Sequence, residues 1–369
     1  MQRIPAKVGD RVDAIETPAL VVDLDAFERN LDRMAEATTG LRLRPHAKSH
    51  KCSAIAKAQL ARGAVGICCQ KTDEAAALVD AGVHDVLVTN EVVDPSKIAR
   101  LAELARAARI GVLVDALPGV AALSRAAVRA AATLDVYVEI DVGAHRCGVA
   151  PGAPAVDLAR AICSAAALHF RGLHAYHGGA QHLREPAARR EAIASAVVAA
   201  RTAREIIDAA GIACEIVTGA GTGTWRHERD SGVYNELQPG SYVFMDADYA
   251  RNVADPADLR FEQSLYVLAA VMSVPAQGRA IVDAGLKAFS FDSGLPLVQG
   301  RDGATYAKAS DEHGVLDVAA DDAPMALGER VRLVPGHCDP TVNLYDWIVA
   351  LRGERVEAVW PVEARGALG

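Results

Sequence analysis

The chain of 369 residues is 51% hydrophobic and 23% charged, which is the composition of a folded protein with a large buried core. Its formal net charge of -8 argues against nucleic acid as a partner, because a phosphate backbone attracts positively charged surfaces. The longest unbroken apolar stretch, residues 265–272, is far shorter than the roughly 18 residues that a membrane-spanning helix needs. Seven cysteines without C-x-x-C spacing argue against a disulfide framework and a zinc knuckle. We therefore expect a cytoplasmic protein with neither a nucleic-acid nor a membrane partner.

Short β-type runs alternate with long alanine-rich helical segments from residue 41 to about residue 246. The predicted strands are 41–48, 65–70, 85–90, 110–115, 134–142, 170–177, 215–219 and 237–244. This alternation is typical of βα units with a parallel sheet, and eight strands are the number that closes a barrel. Runs such as VGICCQ and VLVTN show little alternation, as expected for strands that helices cover on one side and barrel contents on the other. The predicted fold class is α/β, with a (β/α)8 TIM-type barrel.

A ninth strand, 19–23, precedes the first helix and does not fit the count of eight. After residue 255 the long helical periods disappear, and runs such as QSLYVLAAVMSVPA and GERVRLVPG have the pattern of antiparallel strands. We therefore predict two domains. Residues 24–250 form the barrel, and residues 1–23 together with 251–369 form a mainly antiparallel β-domain.

The segment LRLRPHAKSHK, residues 41–51, places two lysines at the end of the first barrel strand. Catalytic groups of such barrels lie where the strands end. Alternation along the strand turns Lys48 to the side opposite Leu43, which we expect to face the helices. Lys48 is then predicted to point into the barrel mouth, whereas Lys51 lies beyond the strand. Because a buried charged lysine is costly, Lys48 has either a chemical role such as a Schiff base or a carboxylate partner.

Three further strand ends carry polar or glycine-rich segments, namely DVGAHRCGV (141–149), YHGGAQH (176–182) and TGAGTGT (218–224). A glycine-rich loop late in a barrel is the usual phosphate cradle, although glycine runs also occur in ordinary turns. The predicted phosphate-binding residues are Thr218, Gly219, Gly221, Thr222 and Gly223. An inward lysine and a phosphate cradle on the same face suggest pyridoxal 5'-phosphate as cofactor.

Several motifs resemble, in order, those of the D-threonine aldolase and D-serine dehydratase family of alanine-racemase-like, fold type III pyridoxal-phosphate enzymes. They are RPHAKSHK, GICCQK, DVGAHRCGV, YHGG, TGAGTGT, ELQPGSYVFMD, DAGLKAFSFDSG, DEHG and PGHCDPTVNLYD, and they cover the chain from about residue 15 to residue 366. The resemblance implies that Lys48 binds the cofactor covalently, with a divalent metal beside it. It also implies that Gln70 contacts the cofactor, that Arg146 approaches its phenolic oxygen and that Tyr176 lies near its pyridine ring. A homodimer is implied as well.

The segment PGHCDP contains the predicted metal ligands. If residues 337–339 are extended, His337 and Asp339 point to one side and Cys338 to the other. In the resembling family, dehydratases have His-x-Cys here, which suits zinc, whereas aldolases have His-x-Asp, whose harder oxygen suits manganese, magnesium or calcium. The H-x-D pattern therefore indicates an aldolase, for which we expect manganese. The alternative is a strand-end histidine that hydrogen-bonds a nearby carboxylate.

The resemblance implies a lyase that cleaves D-β-hydroxy-α-amino acids of the D-threonine type to glycine and an aldehyde. His182, which closes YHGGAQH, is the predicted general base, with His177 as its competitor. The alternatives are a D-serine or 3-hydroxy-D-aspartate dehydratase, a 3-hydroxy-D-aspartate aldolase, an amino-acid racemase and a non-catalytic pyridoxal-phosphate carrier. Asp339 argues against a dehydratase, and the β-domain argues against a carrier.

Overall fold

Two β-sheets organise the chain in this computed structural model, which describes residues 2–369. The first strand, β1 (Ala19–Asp23), belongs to the mainly antiparallel sheet and leads into helix α1 (Leu24–Ala37). The side chain of Asp23 caps this helix by accepting the N–H of Ala26 at 3.1 Å. The ninth predicted strand therefore lies outside the barrel, as expected.

Eight parallel strands form the barrel. They are β2 (Arg42–Leu43), β3 (Ile67–Cys69), β4 (Asp85–Glu91), β5 (Arg109–Val114), β6 (Leu134–Glu139), β7 (Leu168–Ala175), β8 (Ile216–Gly219) and β9 (Glu236–Leu237). Their order is β2-β9-β8-β7-β6-β5-β4-β3, and a parallel bridge between His46 and Cys68 joins the two end strands. The N–H of Cys68 also donates to the carbonyl of Pro45 at 2.8 Å. The predicted (β/α)8 TIM-type barrel with a separate, mainly antiparallel domain is confirmed.

Helices connect the barrel strands and cover the outside of the sheet. They are α2 (Ser53–Leu60), α3 (Thr72–Asp80), α4 (Pro95–Leu104), α5 (Leu117–Ala130), α6 (Ala153–Ser164), α7 (Pro186–Ala209) and α8 (Trp225–Arg229). The short helix α9 (Ala247–Ala250) follows the last barrel strand. Helix α4 begins with Pro95 at its first position, and Asp94 caps it by accepting the N–H groups of Ser96 and Lys97 at 2.9 and 3.1 Å. Within residues 2–369, none of the helices is both long and apolar enough to span a membrane.

Two predicted strands, 41–48 and 237–244, are wrong in length. β2 and β9 have two residues each, and the chain continues into the 3-10 turns Ala47–Ser49 and Ser241–Val243. Backbone hydrogen bonds continue past Pro45, since the N–H of His46 donates to the carbonyl of Pro239 at 3.2 Å, but regular strand geometry does not. The two turns pack closely, since a Cβ on Gly240 would lie 2.6 Å from the carbonyl oxygen of His46. Both turns therefore cross the top of the barrel.

Side chains fill the barrel interior in layers. At the bottom, Arg44 is 2% exposed and its guanidinium pairs with Glu236 at 3.0 Å and Asp85 at 2.5 Å. The middle layer is apolar and consists of Cys68, Leu87, Leu113, Tyr137 and Ile216. The top layer is polar and buried, with His46, Thr89, His174 and Gln238. The polar groups available for chemistry are thus at the carboxyl ends of the strands.

The β-domain consists of β1 and eight later strands. These are β10 (Leu265–Ala276), β11 (Arg279–Val282), β12 (Leu297–Val298), β13 (Ala304–Ala309), β14 (Gly314–Val318), β15 (Arg330–Val334), β16 (Trp347–Arg352) and β17 (Arg355–Pro361). The sheet order is β13-β14-β11-β10-β1-β16-β17, and β15 pairs with β10 and β12. β1 and β16 are parallel, whereas the other pairs are antiparallel. The exact domain limits, 24–250 for the barrel and 1–23 with 251–369 for the β-domain, stay a prediction.

One turn of the β-domain reaches the barrel mouth. The N–H groups of Ala247 and Asp248 donate to the carbonyls of Pro335 and Gly336 at 3.0 and 3.1 Å. The short helix α10 (Cys338–Val342) follows this turn directly. The segment that holds the predicted metal ligands is therefore fixed to the end of the barrel by backbone hydrogen bonds.

Candidate active site

A cavity of about 110 Å³ lies at the mouth of the barrel, and both domains contribute to its wall. Nine of the predicted site residues line it, namely Lys48, Gln70, Arg146, Tyr176, His182, Gly221, Thr222, His337 and Asp339. Three others, Thr218, Gly219 and Gly223, are not on its wall. The wall also contains residues that sequence reasoning missed, namely His46, Thr89, His174, Ala220, Gln238, Gly240, Ser241 and Tyr249.

Lys48 reaches the cavity from a 3-10 turn and not from a strand. Its N–H donates to Nδ1 of His46 at 3.2 Å, and its side chain is 38% exposed. Lys51 differs, because it is 10% exposed and its ammonium pairs with the carboxylate of Glu74. Lys51 therefore has the carboxylate partner that is the ordinary explanation of a buried lysine, and Lys48 is the lysine that faces the cavity.

Acidic groups surround the ammonium of Lys48. Its Nζ lies 3.8 Å from Oδ2 of Asp339. Burial alone would lower the pKa of Lys48, but the negative charges that Tyr176 and Asp339 can carry outweigh this effect and raise the pKa. Lys48 is therefore a cation beside a carboxylate.

A hydrogen-bonded group of three side chains forms one wall of the cavity. Nε2 of His46 lies 2.9 Å from Oγ1 of Thr89, and Nε2 of Gln70 lies 3.1 Å from each of these two atoms. Burial, together with the charge of Lys48, keeps the pKa of His46 well below its ordinary value. The His46 ring is therefore neutral beside Lys48, and Thr89 is the common hydrogen-bond partner of His46 and Gln70.

The glycine-rich loop offers open backbone donors to the cavity. Within residues 2–369, the N–H groups of Gly221, Thr222 and Gly240 donate to no protein acceptor. A Cβ on Gly221 would lie 2.5 Å from Oε1 of Gln181, so the backbone comes as close as only glycine permits. Open N–H groups in a concave loop are what an anion such as phosphate requires. The loop therefore fits the phosphate of pyridoxal phosphate.

The three predicted loop residues that do not line the cavity have other contacts. The hydroxyl of Thr218 accepts from Nε2 of Gln238 at 2.7 Å, and the N–H of Gly223 donates to Oε1 of Gln181 at 2.9 Å. Gly219 ends β8, where a Cβ would lie 2.3 Å from the carbonyl oxygen of Ala175. These contacts hold the loop in shape, and none of them leaves a donor for the cavity.

Arg146 and Tyr176 lie next to each other on the cavity wall. The guanidinium carbon of Arg146 is 5.9 Å from the centre of the Tyr176 ring, and its Nη2 is 3.8 Å from Oε1 of Glu139. Burial would raise the pKa of Glu139, but contacts with His174 and Glu91 outweigh it and lower the pKa. Burial and the neighbouring Glu139 raise the pKa of Glu91. Arg146 therefore faces an ionised Glu139 that a protonated Glu91 supports.

His337 and Asp339 also meet at the cavity, although the predicted extended conformation of residues 337–339 is wrong after His337. His337 is extended, and helix α10 begins at Cys338 and turns Asp339 toward the barrel. Cys338 is fully buried, and its N–H donates to Oδ2 of Asp246 at 2.9 Å. Cys338 is therefore off the cavity wall, but it is not separate from the pair, because its Sγ lies 3.3 Å from Oδ1 of Asp339.

The donor set of this pair fits part of a divalent-metal shell. Nδ1 of His337 lies 2.7 Å from Oδ2 of Asp292, so Nε2 stays available, as is usual for a metal-binding histidine with a carboxylate behind it. Burial alone would lower the pKa of His337, but Asp339 and Asp292 outweigh this effect and raise it. Within residues 2–369, no group of three or more histidine, cysteine, aspartate or glutamate side chains is arranged to hold a metal. A metal here would therefore need water or substrate oxygen as further ligands.

Of the two histidines considered as general base, His182 lines the cavity and His177 does not. His182 lines the cavity, and its Nδ1 lies 2.5 Å from Oδ2 of Asp248. His177 is not on the wall, because its ring packs over Gly143 and its Nδ1 accepts the N–H of Ala180 at 3.3 Å. The geometry therefore favours His182 as the proton acceptor.

Two family models match the chain, and together they cover both domains. The model described as "Alanine racemase, N-terminal domain" matches residues 22–248, and the one described as "Putative serine dehydratase domain" matches residues 264–351.

Similar proteins match over almost the full length. The chain is 46% identical to a 3-hydroxy-D-aspartate aldolase of Paracoccus denitrificans (strain Pd 1222), over 98% of this chain and 95% of that protein. It is 47% identical to a D-threonine aldolase of Arthrobacter sp, over 98% of this chain and 96% of that protein. The crystal structure of D-threonine aldolase from Filomicrobium marinum matches with a TM-score of 0.97 and 49% identity, over 99% of this chain and 100% of that one. The chain thus belongs to the D-threonine aldolase and D-serine dehydratase family of alanine-racemase-like, fold type III pyridoxal-phosphate enzymes.

Proposed function

We propose that this chain cleaves D-β-hydroxy-α-amino acids of the D-threonine type to glycine and an aldehyde, using pyridoxal phosphate and a divalent metal. Relatives at 46% and 47% identity are named as aldolases, so the predicted class of pyridoxal-phosphate-dependent lyase for such amino acids is confirmed. The observation that supports the rest is one cavity in which Lys48 lies 3.8 Å from Asp339. A cofactor-anchoring lysine and a metal-binding carboxylate at this distance can act on one small substrate.

The barrel residues are assigned to the cofactor. We infer that Lys48 holds it covalently, that the N–H groups of Gly221, Thr222 and Gly240 bind its phosphate, and that Arg146 binds its phenolic oxygen. Tyr176 lies beside Arg146 and is assigned to the side of the ring. When bound, pyridoxal phosphate supplies the electron sink for the Cα–Cβ bond of the substrate.

The β-domain residues are assigned to the β-hydroxyl. A divalent ion on His337 and Asp339, with manganese expected, would lower the pKa of this hydroxyl and fix its direction. His182 accepts the hydroxyl proton at Nε2, since its Nδ1 is bonded to Asp248. The Cα–Cβ bond then breaks, the β-oxygen becomes the aldehyde oxygen, and Cα keeps the electron pair and takes up a proton to form glycine.

The charge of the cavity wall supports an uncharged β-substituent. Among the described residues that line the cavity, Arg146 is the single arginine and Lys48 the single lysine, and both are assigned to the cofactor. A β-carboxylate would therefore need the metal or a histidine as its cation. Cleavage of 3-hydroxy-D-aspartate remains the second candidate, because a relative at 46% identity has that name. The dehydratase alternatives are less favoured, since the ligand pair is His-x-Asp and not His-x-Cys.

A cytoplasmic homodimer is also part of the proposal. All seven cysteines are free in the structure, which suits a reducing compartment. A second subunit placed against the barrel mouth would exclude water from the cavity. Sedimentation at micromolar concentration tests the assembly, and a fully active monomer would contradict it.

Product analysis with a panel of substrates tests the proposed reaction. Purified chain with pyridoxal phosphate and Mn²⁺ is incubated separately with D-threonine, D-serine and 3-hydroxy-D-aspartate, and glycine, aldehyde and 2-oxo acid are quantified. We expect glycine and acetaldehyde in equal amounts from D-threonine, and faster turnover than with 3-hydroxy-D-aspartate. Release of 2-oxo acid and ammonia as the main products would contradict the proposal and favour a dehydratase.

A further inference from the structure

His182 and His337 are two of the four histidines on the cavity wall, and each has an aspartate at Nδ1. The carboxylate at His337 is Asp292, whose side chain is 49% exposed, whereas the carboxylate at His182 is Asp248, whose side chain is 7% exposed. The other two wall histidines are His46 and His174, whose Nε2 atoms face Thr89 and Gln238. His182 thus differs from all three in having a buried carboxylate behind a ring that is 46% exposed.

The hydrogen bond between His182 and Asp248 decides which ring nitrogen is free. An ionised carboxylate can only accept, so the 2.5 Å contact with Oδ2 of Asp248 places a hydrogen on Nδ1 of His182. In the neutral ring, Nε2 is then an acceptor. Because the ring lines the cavity, this acceptor is the nitrogen that can meet a substrate proton.

Asp248 is held independently of His182. Its Oδ1 accepts from Nη2 of Arg184 at 2.5 Å and from Nη2 of Arg251 at 2.7 Å, which leaves Oδ2 for the histidine. Its N–H donates to the carbonyl of Gly336, and its own carbonyl accepts from Nη1 of Arg184 at 2.7 Å. Burial would raise the pKa of Asp248, but the hydrogen bonds from Arg184, Arg251 and His182 outweigh it and lower the pKa to about 2. The carboxylate is therefore ionised and fixed before the histidine binds it.

The same backbone segment aligns His182 with the proposed metal pair. Asp248 bonds to Gly336, the residue before His337, and Asp246 accepts the N–H of Cys338 at 2.9 Å. Because Asp248 holds His182 and Gly336 precedes His337, any shift of Asp248 relative to Gly336 would change the distance between His182 and His337. The segment 246–248 thus sets the position of His182 relative to His337 and Asp339.

We propose that Asp248 is a positioning residue, which holds the Nδ1–H tautomer of His182 so that Nε2 accepts the β-hydroxyl proton of the substrate. This inference rests on the proposed function, in which His182 is the proton acceptor. An asparagine at this position would keep the size of the side chain but could donate its amide N–H to Nδ1. The hydrogen of the ring would then move to Nε2, and the acceptor would be lost.

Kinetics of the holoenzyme with Asp248→Asn test the role of the carboxylate. With pyridoxal phosphate and Mn²⁺ bound, we expect kcat for glycine release from D-threonine to fall about 10²-fold or more, as the wrong tautomer does in a catalytic triad. KM should change by less than about threefold, since substrate binding does not use the proton acceptor. Asp255→Asn is the matched control, because Asp255 lies on the segment that follows α9, pairs with Arg190 of α7 and is not on the cavity wall. It should behave like the natural chain.

A double variant separates positioning from a general structural effect. If Asp248 acts through His182, then Asp248→Asn should cause little further loss in a His182→Gln background. Multiplying effects of the two substitutions would overturn the inference, and so would an unchanged kcat in Asp248→Asn.

A tautomer measurement on the natural chain needs no variant at position 248. The chain is labelled with ¹⁵N-histidine, loaded with pyridoxal phosphate and with diamagnetic Mg²⁺, and the signal of His182 is assigned by its loss in His182→Gln. We expect the chemical shifts of a ring protonated at Nδ1 in the neutral form. A neutral ring protonated at Nε2 would overturn the inference even if D-threonine is cleaved, whereas failure of the natural chain to cleave D-threonine or 3-hydroxy-D-aspartate would contradict only the proposed function.

Discussion

Nζ of Lys48 lies 3.8 Å from Oδ2 of Asp339, although the two residues are almost 300 positions apart in the chain and lie in segments that follow strands of different sheets. Lys48 comes from a turn at the top of the barrel, and Asp339 comes from the first turn of α10. The backbone hydrogen bonds between residues 247–248 and 335–336 fix the segment before α10 to the end of the barrel. The cavity is therefore complete only when the β-domain is docked on the barrel.

Lys48→Ala should abolish the visible absorbance of the bound cofactor, because Lys48 is the lysine that faces the cavity. Lys51→Ala should keep the absorbance but destabilise the fold by about 3 kcal/mol, since it leaves the buried carboxylate of Glu74 without its cation. Absorption spectra and denaturant titrations of both variants check this. Absorbance that survives in Lys48→Ala and disappears in Lys51→Ala would reverse the assignment.

Gly221→Ala should weaken the binding of pyridoxal phosphate by about tenfold or more, a loss of about 1.4 kcal/mol. The new Cβ would lie 2.5 Å from Oε1 of Gln181, the acceptor that holds the N–H of Gly223. Gly152→Ala is the control, because a Cβ there has nothing within 4 Å. Cofactor titration followed by absorbance measures both. Equal affinities for the two variants would argue against the loop as the phosphate site.

Chelation of the metal should abolish cleavage of D-threonine while the cofactor absorbance persists, because Lys48 and the glycine-rich loop do not need the ion. Manganese should restore the activity. Asp339→Cys replaces a hard ligand with a soft one, so we expect a weaker response to manganese, tighter zinc binding and slower glycine release. Activity measured across a series of added metals provides the comparison.

Cys338→Ala is the matched control for the metal ligands. The Cys338 side chain is fully buried and is not on the cavity wall, and its one contact with the pair is a weak thiol hydrogen bond to Oδ1 of Asp339 at 3.3 Å. We expect the metal dependence to stay unchanged in this variant. If Cys338→Ala removes the metal response and Asp339→Ala keeps it, the assignment of the ligand pair is wrong and the dehydratase alternative becomes the better one.

Glu91→Gln should stabilise the fold increasingly as the pH rises. Burial and the neighbouring Glu139 raise the pKa of Glu91 from 4.5 to about 8. The stabilising contribution of the neutral carboxyl is therefore fully present below about pH 4.5 and is lost as the pH rises through about 8. Glutamine stays neutral, so the Tm difference between the variant and the natural chain should grow across this range. Glu103→Gln, at a residue with a 60% exposed side chain, serves as the control, and a constant Tm difference for Glu91→Gln would contradict the assignment.

The sequence predicted the barrel well because the alternation of β-type runs with helical segments is a local signal. It predicted that Lys48 faces the mouth, but the strand that was to carry it ends before Pro45. The side chain of Lys48 can point into the barrel mouth from a 3-10 turn as well as from a strand. Alternation of residues in the sequence does not distinguish the two. The same holds for His337 and Asp339, which meet at the cavity through the start of a helix.

Residues that contact each other in the fold but are far apart in the sequence were harder to predict. Asp248 is 66 positions away from His182, and nothing near it in the sequence shows that the two are paired. Thr89 and His174 could have been predicted as site residues, because they lie near the carboxyl ends of β4 and β7. In the glycine-rich loop, the composition predicted a cradle, but which N–H groups stay open depends on Gln181 in another loop.

Glycine release from D-threonine, measured in the same sample as cofactor absorbance before and after chelation, tests the central claim most directly. We expect one glycine and one acetaldehyde for each D-threonine consumed in the presence of Mn²⁺. Chelation should remove this activity with the absorbance retained, and added Mn²⁺ should restore it. Cleavage that continues unchanged after complete removal of the metal, or conversion of D-threonine to 2-oxobutanoate and ammonia, would contradict it.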